Sequence, residues 1–323
     1  MNSKTKIWLI AAVLVVVGLV LMAGTVMTCD WDLTQLNTAS YETNTHQIKE
    51  TFDSISLYTD TADIFFVPSH DGSCSVFCHE PEYEKHVVSV QNGTLTIRET
   101  DTRKWYNNIG ISFDTPRITV SLPNTEYGKL FIKESTGDIQ IPKDFQFESM
   151  DIAASTGDVT NYASASETIK ISTSTGYIHI ENISADMLDL SVSTGNVTVS
   201  GAVCEGDICI KVSSGKAYLT NIACRSLLSS GNTGDITLRD VIASERFSIE
   251  RTTGDVEFDR CDAAEIFVET DTGDVEGTLL SEKVFTVTTD TGDVEVPRTI
   301  TGGRCEITTD TGDIEIDLLP NNK

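Results

Sequence analysis

The sequence predicts an all-β fold: a β-solenoid of about ten rungs, preceded by an irregular β cap module and one N-terminal transmembrane helix. Three observations predict it. A glycine corner recurs every 19 or 20 residues, apolar residues between corners alternate at period two, and a single long apolar run lies near the N-terminus. In chain order the expected segments are a cytoplasmic tail (1–6), the transmembrane helix (7–27), a stalk (28–50), the irregular β module (51–130), the repeat domain (131–318) and a short tail (319–323).

The apolar run, IWLIAAVLVVVGLVLMAGTVM, occupies residues 7–27 without a charge. As a helix it would measure roughly 31 Å, about one hydrocarbon core. Lys4 and Lys6 precede it and Asp30 and Asp32 follow it. The positive-inside rule therefore places the N-terminus in the cytoplasm and the C-terminal domain outside the cell. A cleaved signal peptide is the alternative, but the run exceeds the roughly 7–15 residues of a typical signal core. Thr28 before Cys29 does not fit a lipoprotein site.

The body is very acidic. The 323 residues hold 23 Lys and Arg against 49 Asp and Glu, and only Lys4 and Lys6 fall within residues 1–29, which contain no acid. From Asp30 onward 21 basic residues face 49 acidic ones, a net of −28. Nucleic acid is excluded as a partner, because affinity for phosphate requires clustered Lys and Arg. Residues 28–50 are polar and without periodicity, which gives the stalk. Across residues 52–132 strand patterns persist while the repeat register is lost, and Asn92-Gly93 between Val88/Val90 and Leu95/Ile97 marks a hairpin. This module is expected to shield the first open sheet edge.

The repeat glycines are Gly137, Gly157, Gly176, Gly195, Gly215, Gly234, Gly254, Gly273, Gly292 and Gly312, all preceded by Ser or Thr. A fixed short period implies units that bury their faces only against their neighbours. Val256 and Phe258 follow one corner and Ile266 and Val268 precede the next, the alternation of short strands, with a second bend expected near Ala185, Ala243 or Ala263. Glycine suits the corner because positive φ costs a side-chain-bearing residue about 1–2 kcal/mol. Thr61-Ala62-Asp63 reads as a diverged corner. Leucine-rich repeats lack support in the pattern, and an antiparallel sandwich is the fold-level alternative.

The ectodomain resembles the bacterial putative-adhesin proteins with β-strand repeats, a domain of unknown function that includes LiaG-like envelope proteins. The likeness rests on the order of an N-terminal anchor, LYTDTADIFFV, the NGTLTIRE hairpin, RITVSLP, and LFIKESTGDIQI with its serial STGD descendants, over about residues 50–316. The resemblance implies a surface-exposed, non-enzymatic envelope protein and carries over no catalytic residues.

Several motifs bear on chemistry. Asp271, Asp290 and Asp310 each open an Asp-Thr-Gly, the aspartic-protease tripeptide, but at repeat spacing they read as corners. Asp235, Asp255, Asp274, Asp293 and Asp313 occupy one outward slot in five units, beside the inward Ile236, Val256, Val275, Val294 and Ile314. With Asp271, Asp290 and Asp310 they form a candidate divalent-cation ladder for Ca²⁺; a solvated acidic edge is the alternative. No other cofactor is expected. Cys204 and Cys224 fall one above the other and are either a disulfide or a buried cysteine ladder. Cys74, Cys78, His79 and His86, with His70 nearby, form a loose zinc-like set whose spacing matches no finger or ribbon, so a half-buried strand is the plainer reading. Trp105 and Tyr106 are placed on a loop tip.

The expected function is a non-enzymatic, membrane-anchored extracytoplasmic protein that presents a rigid acidic rod, as an adhesin or an envelope-stress accessory. Its expected partners are the membrane and an envelope polymer or surface protein. A self-assembling β-helical scaffold and a glycan-processing β-helix enzyme are the alternatives.

Overall fold

The computed structural model of the chain describes residues 3–28, 40–101 and 114–319. Its only helix among the described residues, α1 (Ser3–Thr28), covers the expected span and is apolar all round, with Trp8, Leu14, Val15 and Val20 exposed. Side chains at positions 3–7, 10, 22, 25, 26 and 28 lie outside the described set. With those gaps, no helix among the described residues is long and apolar enough to cross a membrane, so the fold by itself assigns no transmembrane span.

The rest is a β-solenoid. Each rung runs a strand into a Gly corner, a short strand out of it, and a second bend, and it pairs in parallel with the rungs on either side. Thr168–Thr175, for example, pairs with Gln146–Thr156 on one side and Met187–Thr194 on the other. Period-two burial follows from the pleat. Ile152, Ile171, Leu190 and Ile210 share one inward column, while the residues between them face out or are half-buried. Burial of each such side chain contributes about 1.5–3 kcal/mol, so the core is one continuous ladder of aliphatics.

At every corner but Gly292, on the outer layer, the glycine amide bonds the carbonyl of the neighbouring Ser or Thr, as in Gly195 N to Ser214 O at 2.9 Å. Gly195 sits at φ 140°, and a Cβ there would stand 1.9 Å from the oxygen of Gly176. Left-handed backbone and contact with the adjacent rung together demand glycine. The second bend lies at the residue six after the corner, not near the alanines expected from the sequence. Asn182, Gly201, Asn221, Asp240 and Arg260 all have positive φ there. Asn, Asp and Gly tolerate this region, and Arg260 is held in it by two bonds to Asp240 at 2.6 and 2.7 Å. Ala185, Ala243 and Ala263 do fill one inward slot, in line with Cys204 and Cys224.

Both ends depart from serial stacking. At the C-terminal end Gly303–Thr311 pairs with Val256–Thr272 on one side and with Lys283–Thr291 on the other. The corners therefore stack in the order Gly254, Gly273, Gly312, Gly292. The last rung of the chain is inserted beneath the one before it, and Val294, expected inward, is 45% exposed because it lies on the terminal layer.

The other end repeats the device. β1 (Tyr41–Ile48), β2 (Ser54–Thr61), β3 (Asp63–Pro68), β4 (Cys74–Pro81), β5 (Glu84–Gln91), β6 (Thr94–Asp101), β7 (Arg117–Leu122), β8 (Glu126–Thr136) and β9 (Ile139–Ile141) build it. β2 lies between β6 and β8, and β3 between β7 and β9, all parallel. The diverged corner at Ala62 thus stacks on Gly137, with the Ala62 amide bonding Thr136 O at 3.1 Å. Antiparallel β5 covers β6, and β4 covers β7. Residues 41–48, expected within a stalk, are instead β1, paired antiparallel along all of β4. An edge strand needs little apolar content, which is why its polar sequence read as unstructured.

Candidate functional site

The corners line up into an exposed ridge. The residue before the glycine is Ser or Thr in all ten repeat units and is exposed in every one. Strand spacing sets these hydroxyls about 4.8 Å apart. The residue after the glycine forms the second column, and the structure gives its aspartates a backbone role. Asp138 Oδ1 accepts the Asp158 amide at 2.9 Å, Asp235 the Asp255 amide at 3.1 Å, Asp255 the Asp274 amide at 2.9 Å, and Asp274 the Asp313 amide at 2.8 Å. Asp313 in turn accepts from Asp293 at 2.8 Å, following the inserted order. Each carboxylate caps the next corner, and Lys216 pairs with Asp235 at 2.7 Å.

Among the described residues, the only group of three or more His, Cys, Asp or Glu ligand atoms lying within 4.8 Å of one another is elsewhere, in the cap. Asp271, Asp290 and Asp310 are exposed on three successive corners of the same ridge, as parts of turns.

Three residues before each corner, an inward slot carries threonine in several rungs; Thr309 Oγ1 donates to Gly273 O at 3.1 Å and Thr289 to Gly312 O at 3.0 Å. Two rungs place a charge in this slot. Arg251 is 5% exposed and reaches across the side-chain-free Gly231 to Ser229 at 2.7 Å, while its Nε has no partner. Burial pushes its pKa down to about 10. A groove of about 580 Å³ runs beside it, lined in part by Lys211, Asn232, Glu269 and Asp271. Glu134 is 3% exposed, beneath the first corner, and neither of its oxygens has a hydrogen-bond partner. Burial, with the carboxylates of Asp63 and Asp138, raises its pKa to about 8.

The cap holds a buried polar cluster. Alternation on β4 turns Cys78 and Glu80 inward, and His86 faces them from β5. His86 Nδ1 is 2.7 Å from Glu80 Oε2 and its Nε2 is 3.0 Å from Thr59 Oγ1. Thr59 Oγ1 is also 3.0 Å from Glu99 Oε2, and Asn44 Nδ2 donates to Glu80 Oε1 at 2.7 Å. Desolvation acts to raise the Glu80 pKa, but the bonds from His86 and Asn44 outweigh it and hold the pKa below its ordinary value.

Hydroxyl, imidazole and carboxylate in this order have the outline of a nucleophilic triad. The proton count opposes that role. Thr59 has one hydroxyl hydrogen, which it donates to the Glu99 carboxylate, so His86 Nε2 faces an oxygen with no hydrogen left to give and is no base for the threonine. Thr59 is also only 8% exposed, out of reach of a substrate.

Of the sequence candidates, Cys78 and His86 are thus brought together. Cys74 is buried without joining them, and His79 faces Asp114 at 3.0 Å on the other side of β4. Glu80 was missed, although its two-residue spacing from Cys78 places it on the same face. Cys204 and Cys224 stack in adjacent rungs as free buried thiols, with pKa values pushed up by burial to about 11 and 12, the arrangement of the cysteine ladder that the sequence left open beside a disulfide. Trp105 and Tyr106 lie outside the described residues.

Comparison with solved structures gives similar folds at low identity. A putative adhesin from Parabacteroides merdae is 13% identical, covering 87% of this chain and 98% of that one, with a TM-score of 0.47. A putative adhesin from Bacteroides fragilis is 15% identical over 86% and 97%, with a TM-score of 0.41. A putative lipid binding protein from Parabacteroides distasonis is 14% identical over 87% and 98%, with a TM-score of 0.34. No curated protein sequence matches the chain. The Toastrack DUF4097 family matches it twice in tandem, over residues 52–209 and 202–322, which together take in the cap from β2 onward and every rung, and the chain belongs to that family.

Proposed function

We propose that the chain is a non-enzymatic envelope protein, tethered in the cell membrane by residues 7–27, whose solenoid stands outside the cell as a rigid acidic binding surface. The corner ridge carries the reading. Ten exposed hydroxyl-bearing residues in register present the same group at every rung, and a repeating surface suits a repeating polymer. With a net charge of −28 beyond residue 29, that polymer is neutral or cationic, such as an amino-sugar glycan of the envelope. The uncharged, mostly apolar run at residues 7–27 supports the tether, and Lys4 and Lys6 before it support an inside N-terminus.

The test has two arms. Protease added to intact cells should remove a C-terminal tag, and protection of the tag would place the column in the cytosol and end the proposal. The purified chain should be retained by envelope glycan, and Thr156→Val with Thr175→Val and Thr194→Val should weaken retention; unchanged retention would remove the ridge as the surface. One observation favours assembly as a second reading. The outer layer, Lys283–Thr291, is an open parallel edge with Val284 41% exposed. Sedimentation velocity across a concentration series would show end-to-end growth under that reading and a constant species otherwise.

A further inference from the structure

We propose that Cys78, Glu80 and His86 form a binding site for a zinc-class divalent transition metal, stapling the two faces of the cap. The three residues are 0%, 1% and 4% exposed, and their sulfur, oxygen and nitrogen atoms lie within 4.8 Å of one another. One thiolate, one carboxylate and one imidazole make a donor set for Zn²⁺ and its congeners, whereas Ca²⁺ and Mg²⁺ take oxygen.

The surroundings are built as those of a metal site are. A ligating histidine normally has its other ring nitrogen fixed by a hydrogen bond, and a ligating carboxylate its other oxygen. Here Thr59 and, behind it, Glu99 hold His86 Nε2, while Asn44 holds Glu80 Oε1. His86 Nδ1 and Glu80 Oε2 face each other at 2.7 Å with a shared proton between them, and the same Oε2 also accepts the His86 backbone amide at 2.7 Å. The metal takes the place of that proton, and the Cys78 thiol releases its own. Two protons leave as one dication enters, so the buried cluster keeps its net charge. A fourth position is open to water.

The topology says what the ion would do. β4 pairs with β1 and β7, β5 pairs with β6, and β4 and β5 have no ladder between them. They belong to different faces of the column, joined by the exposed turn at Glu82 and Tyr83. An ion shared by β4 and β5 would tie those faces together at the end of the stack, and local opening of the turn gives it a way in.

The test uses the full chain in detergent, stripped with chelator and titrated with Co²⁺ as a spectroscopic probe. The expected result is a thiolate-to-cobalt charge-transfer band with tetrahedral visible bands, saturating at one ion per chain, resistant to excess Ca²⁺ and displaced by Zn²⁺. Cys78→Ser should abolish the charge-transfer band and Cys74→Ser should leave it. Should Cys78→Ser fail to fold, His86→Gln, checked by circular dichroism, should lose the tetrahedral bands. Absence of a charge-transfer band in the native chain, bands that persist in Cys78→Ser, or bands unchanged in His86→Gln would overturn the proposal.

Discussion

Replacing Glu134 by Gln should make the chain more stable at neutral and alkaline pH and leave it little changed in acid. Glu134 is buried with both oxygens unpartnered, and its pKa stands at about 8 against an ordinary 4.5. Below about pH 4.5 the carboxyl is protonated in folded and unfolded chains alike and contributes no pH dependence. Between 4.5 and 8 the folded chain holds a proton that the unfolded chain has lost, so stability falls as pH rises. Above 8 both forms are ionised and the loss is complete. A shift of 3.5 units, 8 less 4.5, corresponds at about 1.36 kcal/mol each to a ceiling of roughly 5 kcal/mol. Gln keeps the shape and the unpartnered polar atoms but never ionises. Urea unfolding of both chains, followed by circular dichroism at about pH 5, 6.5 and 8, should show the wild type losing roughly 3.5 kcal/mol relative to the variant from the first to the last. A difference between the two that stays flat with pH would refute the reasoning.

Three more outcomes are expected. Gly195→Ala should cost at least about 3 kcal/mol, because φ is 140° and the new Cβ meets a backbone oxygen at 1.9 Å, whereas Gly128→Ala, which meets the Ser54 hydroxyl at 3.0 Å, should cost under about 1 kcal/mol; urea midpoints would separate them. Deleting residues 303–323 should leave Lys283–Thr291 without its pairing partner, so its amides should exchange hydrogen freely by mass spectrometry; protected amides would contradict the inserted order. Arg251 has no carboxylate in ion-pair reach among the described residues, so Arg251→Met should leave stability unchanged or raise it by up to about 2 kcal/mol, as read by thermal unfolding.

Much of this architecture was legible in the primary structure because a solenoid writes itself as a period. The corner glycines, the inward Val and Ile columns and the outward Thr and Asp columns are local facts repeated from unit to unit, and they agree with the rungs observed. The stacking order at the ends was not legible. Asp-Thr-Gly-Asp occurs at Gly273, Gly292 and Gly312 alike, so any of these corners is an acceptable neighbour for another, and only long-range packing chooses. The second bend did leave a signal in Asn182, Gly201, Asn221 and Asp240, all six residues past a corner, which the eye misses beside the stronger alanine slot. The cap cluster was legible only in part: Cys78 and His86 stood in a loose zinc-like set and Glu80 shares a strand face with Cys78, but the two halves meet across two faces of the column, which no spacing along one strand encodes. The aspartate column was legible as a pattern but not as a set of bonds, because a carboxylate that receives its neighbour's amide looks, in one dimension, like a charge awaiting a cation.

The threading of the final strand pair under its predecessor decides how the molecule answers a pull. A hook on the last residues of a serial coil would peel the outermost layer bond by bond, which takes little force. Here the tail is gripped from above and below, so a load on it must shear two ladders at once. The same lock delays completion: the layer of Lys283–Thr291 cannot settle until Gly303–Thr311 has arrived.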